Sequence, residues 1–415
     1  MRPTTDHRAS AWRSLDTGEG RALLREIPQV PGVSDIARLR DRWPADMVHA
    51  ALDLHAARRR AAGKFGPASR AATLWSDDEG VQMASSPHAA RYKAERFRSL
   101  LGDAAGIVDL CCGIGGDLMG MTESGLDALG VDADPCRAWM ASKNTGHETL
   151  TADALDTRVP DRPFHLDPGR RTDAGRTHDT DAYAPSPDVW DAVIDKHGTG
   201  CIKLNPGVRP SDLPSGGLEI LSERGRLTQA LVWTGSLATA SRRATRLDDR
   251  GAASIEGEPE RTDEAHPIDD WIATVDPSVE RADLIPALLR DSGATPVHPG
   301  TGLVTSDRPI DHPMLTWFRV LDAFRYDERT AKAALASHGA GVVEVKTRDK
   351  LVDPDSVQRR LRGSGGETLT LFVLRFGRER RGIVARRSTA EPCDETESGD
   401  KTPPTTRLDT GVLPC

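Results

Sequence analysis

One stretch constrains this chain more than any other: Val108-Asp109-Leu110-Cys111-Cys112-Gly113-Ile114-Gly115-Gly116-Asp117. The apolar run Ile107 to Cys112 reads as a short buried strand. The glycines after it read as a turn whose missing side chains let the backbone approach a ligand closely. Asp117 to Ser124 then reads as a helix with free N–H groups at its start. Two phosphate-binding motifs fail here on spacing. A GxGxxG turn needs a third glycine where Leu118 stands, and a Walker A loop needs Gly-Lys-Ser/Thr, which is absent.

The segments that follow repeat the alternation. Leu126 to Val131 reads as a second strand, Pro135 to Thr145 as a helix, Thr149 to Thr151 as a third strand and Phe164 to Leu166 as a fourth. Trp190 to Val193 is expected to be helical, and Cys201 to Leu204 and Leu231 to Thr234 to be strands. Strands alternating with helices imply a largely parallel sheet with helices on both faces. Upstream, Ala45 to Ala62 and Pro87 to Leu101 read as helices, the second with Arg91, Lys93, Arg96 and Arg98 facing mostly water or a partner. Residues 241–265 are polar and read as a hairpin or loop. Downstream, Asp283 to Arg290 and Arg329 to Ser337 read as helices and Gly341 to Lys346 as a half-buried strand. Asp353 to Leu361 reads as a helix, and Thr368 to Phe376 as a strong strand to which Ile383 to Arg386 can pair. The expected division is a helical domain at 1–98, an α/β domain at 99–262, a connecting α/β segment at 263–330, a small α+β domain at 331–389 and a disordered tail at 390–415.

The formal charge of -8 argues against a chain that coats nucleic acid along its whole length. The charge is uneven, however. Residues 331–389 hold 13 Lys+Arg against 6 Asp+Glu, so a basic module on an acidic body and an ordinary solvated basic face are both open readings. None of the 6 cysteines forms a CxxC pair, which argues against a zinc site or a disulfide framework, and no metal is expected. With no apolar run long enough to cross a bilayer and no signal-peptide core at Met1 to Asp16, the expected compartment is the cytoplasm.

Four acidic positions fall at carboxyl ends of the expected strands, where open α/β sheets place ligands. Asp109 leads into the glycine turn. Asp132 follows the second strand, where a carboxylate reaches a ribose hydroxyl pair, with Asp134 a competitor for that role. Asp153 follows the third strand and can accept from an adenine exocyclic amine. Asp167 follows the fourth, in Asp167-Pro168-Gly169-Arg170-Arg171. Singly each has a structural explanation. Their order and spacing together point to a nucleoside cofactor.

Over about residues 100–240 the chain resembles class I S-adenosylmethionine-dependent methyltransferases, on VDLCCGIGGD, GVDADP and TADALD. The resemblance implies a Rossmann-like sheet and S-adenosyl-L-methionine as cofactor. It implies that Gly113, Gly115 and Gly116 flank the methionine part, that Asp109 positions the amino-acid end and that Asp132 binds ribose. Asp153 with Ala154 would lie near adenine, and Cys111, Asp117, Ala133 and Asp167 would belong to the same cofactor-binding set. Cys111 departs from the pattern, standing where many relatives have glycine. A narrower resemblance, to an actinobacterial methyltransferase family with a C-terminal THUMP-like domain, rests on MASSPHAARYKAERF, LDPGRR, IKLNPGV, VWTGSL and VEVKTRDKLVDPDSVQRRLRG. It implies an RNA substrate, transfer or ribosomal, with the THUMP-like domain aiding its binding. The basic residues there, among them Lys346 and Arg348, would meet phosphates.

At the reacting end, methyl transfer requires alignment of nucleophile, methyl and sulfur, and a base only if the nucleophile must lose a proton. Asp167 is the catalytic candidate, holding the acceptor; its alternative is a structural pair with Arg170. Pro168 stiffens that turn, and Arg170 and Arg171 are placed to bind a substrate phosphate. Amine methyltransferases often carry two prolines and an aromatic here, so Gly169 and Arg170 weigh against an exocyclic amine. Lys203 and Asn205, at the end of the fifth strand, either line the acceptor pocket or are ordinary strand-end residues. An RNA methyltransferase, a methyltransferase of a small molecule or protein, and a non-catalytic cofactor- and RNA-binding adaptor are the competing functions.

Overall fold

The computed structural model describes residues 5–66, 68–103, 106–170, 180–299, 301–348 and 350–388. The expected tail at 390–415 and Arg171 lie outside these residues. The chain opens helical, with α1 (Thr5–Ser14), α2 (Gly18–Glu26), α3 (Val33–Arg40), α4 (Ala45–Ala61), α5 (Ala68–Thr73), α6 (Asp78–Met83) and α7 (Pro87–Leu101). Local signals set the ends of α7. The Ser86 side chain accepts from Ala89 N–H, Pro87 occupies the first turn where its missing N–H costs nothing, and Gly102 stops the helix with φ +85°. The α4 core positions Val48, Ala51, Leu54 and Ala61 join a cluster with Ile114, Met119, Cys136 and Met140, so the helical layer packs on the α/β part just beside the glycine turn.

The α/β part runs β1 (Gly106–Leu110), α8 (Gly116–Glu123), β2 (Asp127–Asp132), α9 (Pro135–Thr145), β3 (Thr149–Thr151), β4 (Phe164–Leu166), the two-residue strands β5 (Gly169–Arg170) and β6 (Tyr183–Ala184), α10 (Pro187–His197) and β7 (Gly200–Leu204). β8 (Gly217–Glu223), β9 (Arg226–Thr234), β10 (Arg242–Asp248) and β11 (Gly251–Gly257) extend it. The sheet order is β11-β10-β8-β9-β7-β4-β1-β2-β3. β1, β2, β3, β4 and β7 are mutually parallel, so their carboxyl ends share one edge, while β9 runs antiparallel between β7 and β8. β4 (FHL) is buried at all three positions, as a central strand covered on both faces must be. The polar segment at 241–265 contains the β10–β11 hairpin.

A second sheet follows, built from β12 (Trp271–Val275), α11 (Pro277–Arg281), α12 (Ile285–Ser292), β13 (Thr295–Pro296), β14 (Leu303–Ser306), β15 (Leu315–Arg325), α13 (Glu328–Ser337), β16 (Ala340–Thr347), α14 (Pro354–Leu361), β17 (Glu367–Phe376) and β18 (Glu379–Arg387). Its order is β13-β14-β12-β15-β18-β17-β16. Ala331 and Leu335 of α13 and Val357 and Leu361 of α14 pack on Val343, Leu369, Leu371 and Val384. The molecule is therefore a Rossmann-like α/β sheet with a helical N-terminal layer and a C-terminal α+β unit.

Two local expectations need correction. The first strand ends at Leu110 rather than Cys112, because Cys111 takes φ +58°, a left-handed backbone that no strand continues through. Lys93 faces neither water nor a partner. It is fully buried, since Ala89, Lys93 and Phe97 stand one turn apart on the inner face of α7.

Candidate functional site

The glycine turn after β1 is built from backbone conformations that side chains resist. Gly113 and Gly115 have φ of +57° and +82°, and Gly115 caps α8. The three glycines differ in what surrounds them. A side chain on Gly116 would meet the Ala84 Cβ at 2.9 Å, and one on Gly115 would meet Ala141 at 3.2 Å, so both serve close packing. A side chain on Gly113 would meet nothing within 4 Å, so the turn is open there.

Asp132, at the end of β2, faces that opening. Its Oδ2 accepts from Gly113 N–H at 2.8 Å and its Oδ1 from Asp134 N–H at 2.9 Å. Burial pushes its carboxyl up to about 6, although the two backbone donors favour the charged form. Asp134 is occupied otherwise: it caps α9 by accepting from Cys136 N–H at 2.7 Å and pairs with Arg8. Asp153 and Ala133 are exposed and Ala154 is buried. Cys111 follows β1 with φ +58°, and its thiol feels the charges at these strand ends. Burial, then the charges of Asp132, Asp167, Asp109 and Asp153, push the thiol well above its ordinary range.

Asp109 and Asp117 turn inward instead, into a buried chain of charged groups. His165 Nδ1 is 2.7 Å from Asp109 Oδ1, and Lys93 Nζ lies 3.1 Å from His165 Nε2 and 2.6 Å from Asp117 Oδ1. Ser85 donates to Asp117 Oδ2 at 2.8 Å. Burial works against the Asp117 charge, but Lys93, His165 and Lys203 outweigh it and hold this carboxyl far below its usual range. Asp109 goes the other way, raised chiefly by burial, and its Oδ2 has no hydrogen-bond partner among the described residues. Lys93, His165 and Ser85 were not expected from the sequence. The signal for Lys93 was its place on the Ala89–Phe97 apolar face; for His165 it was a titratable residue at the centre of a three-residue strand.

Lys203 carries this network to the surface. Its Nζ is 2.5 Å from Asp167 Oδ2 and 3.8 Å from Asp117 Oδ2. Burial would depress the Lys203 ammonium, yet Asp167 and Asp117 raise it above its ordinary value. The partner of Asp167 is thus Lys203. The Arg170 backbone pairs with Tyr183 in the β5–β6 ribbon. Asn205 is mostly enclosed: its N–H donates to the Tyr183 hydroxyl at 2.9 Å and its Oδ1 accepts from Gly207 N–H at 2.7 Å.

A cleft of about 1710 Å³ opens beyond the ends of β4 and β7. Asp167, Pro168, Lys203 and Asn205 form its floor, and Lys64, Ser85 and His88 of the helical layer form a wall. A second cleft of about 790 Å³ lies between the α/β sheet and the C-terminal unit. Among the described residues six basic side chains line it, namely Arg224, Arg226, Arg246, Lys346, Arg348 and Arg387, against three acidic ones, Asp248, Asp276 and Glu344. Arg224, at the tip of the β8–β9 hairpin, belongs to both clefts. Lys346 and Arg348 are therefore brought beside arginines of the α/β sheet, while each keeps a carboxylate partner, Glu344 and Glu280, at 2.8 Å. Among the described residues no cluster of His, Cys, Asp and Glu could hold a metal ion, and no helix is long and apolar enough to cross a membrane.

Comparison with known proteins gives three findings. The THUMP domain-like family model matches residues 315–387, from β15 to the end of β18. Uncharacterized S-adenosylmethionine-dependent methyltransferases of two Mycobacterium tuberculosis strains, CDC 1551 and H37Rv, are each 29% identical over 335 residues, covering 77% of this chain and 90% of theirs. The crystal structure of a candidate methyltransferase from Porphyromonas gingivalis W83 superposes with a TM-score of 0.65 at 16% identity, covering 92% of this chain and 98% of that one; at that identity the likeness is one of fold.

Proposed function

We propose that this chain, a class I S-adenosylmethionine-dependent methyltransferase with a C-terminal THUMP-like domain, transfers methyl groups to RNA. The observation that carries the RNA reading is Arg224. Its side chain lines both the cleft holding Asp167 and Lys203 and the basic cleft shared with the THUMP-like unit. A polyanion bound across both clefts would meet cationic side chains, on a chain whose formal net charge is -8.

The strand ends fit S-adenosylmethionine. Gly113 leaves open space where a side chain would stand, beside a carboxylate at Asp132 suited to a vicinal diol. When bound, the cofactor supplies a methyl group activated on a sulfonium. In this reading Gly113 and Gly115 give the backbone surface for its methionine end, Asp132 with Ala133 takes the ribose, and Asp153 with Ala154 borders the adenine. Asp117 is consumed by Lys93 and Ser85, so it orders the α7–α8 contact and the floor beneath the cofactor. Asp109 likewise acts through His165. Asp167 and Lys203 form the acceptor end, with Pro168 and Asn205 fixing the two strand ends around it. The enzyme's main contributions are then alignment and exclusion of water at the junction of the two subsites.

The test combines two measurements on the full chain: calorimetric titration with S-adenosylmethionine, and transfer of labelled methyl to total RNA from cells lacking the gene. Saturable binding with label in RNA supports the reading. Label confined to protein or small-molecule pools overturns the RNA assignment, and binding without transfer to any pool favours an adaptor.

A further inference from the structure

The cleft that Lys203 lines carries a second lysine. Lys64 follows α4, and its Nζ donates to the Val81 and Gln82 carbonyls at 2.7 and 3.0 Å. Two of its bonding directions are thereby fixed by backbone, and Lys64 lines the cleft that Asp167 and Lys203 floor. Lys203 is fixed in turn by Asp167. Two amine-bearing side chains therefore share the cleft in which the proposal above puts the acceptor, and the Asp167 carboxylate of its floor is already paired with Lys203.

This arrangement discriminates between acceptors. A neutral amine attacking a sulfonium methyl becomes more positive along the reaction, so the neighbouring Lys203 ammonium opposes it. A hydroxyl must shed its proton and becomes negative, so the same ammonium favours it. A base presented for methylation would also need a stacking surface. Among the described residues lining the cleft, Phe65 and Tyr183 are each only 2% exposed, and the one further aromatic ring, the His88 imidazole, is engaged by Glu223 at 2.9 Å. RNA offers a hydroxyl on every ribose.

We propose that the acceptor is a ribose 2′-hydroxyl, deprotonated by the Lys64 amine while the Lys203 ammonium holds the oxyanion that forms. This rests on the RNA reading above and deepens it. The acceptor oxygen forms a bond to the methyl carbon as the carbon–sulfur bond breaks, its electron pair remaining on sulfur. The hydroxyl proton passes to Lys64 Nζ, which becomes an ammonium and later returns it to water. The two lysines are shifted in opposite directions. Burial, then the Lys203 charge, lowers Lys64 to about 8 against the opposing pull of Asp117, Asp167 and Glu223, whereas Asp167 and Asp117 keep Lys203 protonated. Asp78, Glu79, His88 and Arg91 share the wall with Lys64 and add charges of both signs.

Two readouts test this on the full chain. After transfer of labelled methyl into total RNA from cells lacking the gene, alkaline hydrolysis should leave the label in alkali-resistant dinucleotides, because a methylated 2′-oxygen cannot attack the next phosphodiester. Label in mononucleotides, carried on the base, overturns the hydroxyl assignment while leaving RNA as substrate; absence of label from RNA overturns the RNA reading itself. The second readout needs no cofactor. Acetic anhydride labelling of Lys64, followed by peptide mass spectrometry across pH, should show half-maximal reactivity near 8. A midpoint beyond 10, the range of an ordinary lysine, overturns the base assignment. Lys64→Arg keeps the positive charge but removes the base, and should lower the rate constant about 100-fold or more. Unchanged turnover in a folded K64R protein also overturns it.

Discussion

Lys93 Nζ lies 2.6 Å from Asp117 Oδ1, with 0% and 5% of the two side chains exposed. This ion pair ties α7, the last helix of the N-terminal layer, to the first turn of α8, which follows the glycine loop. Taking two charges out of water is costly, and the cost is offset here by further donors: Ser85 to Asp117, and Gln229 to Ser85 at 3.0 Å. Removing one partner strands the other. Lys93→Met is expected to destabilise the fold by about 3–5 kcal/mol, while Lys93→Met with Asp117→Leu should cost less than the sum of the single changes. Urea denaturation of the four proteins measures the coupling, and additive losses would mean the pair is not a unit.

The glycines of the loop should separate packing from binding. Gly116→Ala brings a methyl within 2.9 Å of Ala84 and 3.2 Å of the Ser85 backbone nitrogen, so it should destabilise by about 1–3 kcal/mol. Gly113→Ala enters open space, and its φ of +57° costs about 1–2 kcal/mol. Its larger effect is expected on S-adenosylmethionine, whose dissociation constant should rise at least tenfold. Calorimetry beside thermal melts distinguishes the two, and normal affinity in G113A would move the cofactor away from this loop.

How much of this was visible beforehand depended on how local the cause was. α7 and α9 were legible to the residue because Ser86 and Asp134 cap them, Pro87 and Pro135 start them and Gly102 and Gly146 end them. The carboxylates at the strand ends were legible from their order alone. β8 was not, because its buried Glu219 and Ser222 break the apolar pattern. Their partners come from elsewhere in the chain: Glu219 accepts from Tyr92, Thr245 and Trp233, and Ser222 donates to Asp276. The inward turn of Asp109 was hidden for the same reason, since it depends on His165 in a neighbouring strand. Lys64 carried no motif at all; only the folded chain brings it into the cleft that Lys203 lines.

Asp132 gives cofactor binding a pH dependence. Its carboxyl is raised to about 6 in the folded chain, so it is increasingly protonated below that pH. The raised value means that the uncharged form is the one folding favours: its stabilising contribution is present below the ordinary carboxylate range and fades as pH rises through about 6. Binding runs the other way, because a ribose diol needs the charged acceptor. Affinity for S-adenosylmethionine should be flat above about pH 7 and fall by up to about tenfold per unit below 6. Asp132→Asn should be weak and nearly pH-independent in the same titration, and a wild-type curve equally flat would remove Asp132 from the site.

Two arginines of the second cleft, Arg226 and Arg387, form no ion pair with the described residues, unlike Lys346 and Arg348. They are exposed, so their replacement should leave the fold unchanged. If the cleft carries RNA phosphates, Arg226→Glu with Arg387→Glu should weaken RNA affinity and reduce the slope of log affinity against log salt by about 2, roughly one per lost contact. Binding of S-adenosylmethionine should not change. Filter binding of total transfer RNA at several salt concentrations gives the slope, and an unaltered slope would exclude this cleft as the phosphate track.

Cys111 is a side chain in a backbone conformation suited to glycine, with φ +58° at the end of β1. The left-handed conformation costs a residue with a Cβ about 1–2 kcal/mol, while glycine adds about 0.5–1 kcal/mol of unfolded-state entropy. Cys111→Gly should therefore leave stability unchanged or raise it by up to about 1 kcal/mol, which chemical denaturation resolves. The thiol should also be inert. Burial and the surrounding carboxylates of Asp132, Asp167, Asp109 and Asp153 disfavour the thiolate that alkylation requires. With the cofactor absent, alkylation of Cys111 by a neutral reagent at pH 8, followed by peptide mass spectrometry, should be at least tenfold slower than that of free cysteine. Rapid labelling would mean that the strand ends do not crowd their carboxylates around this position, and the grouping of Asp132, Asp153 and Asp167 around one ligand would lose its support.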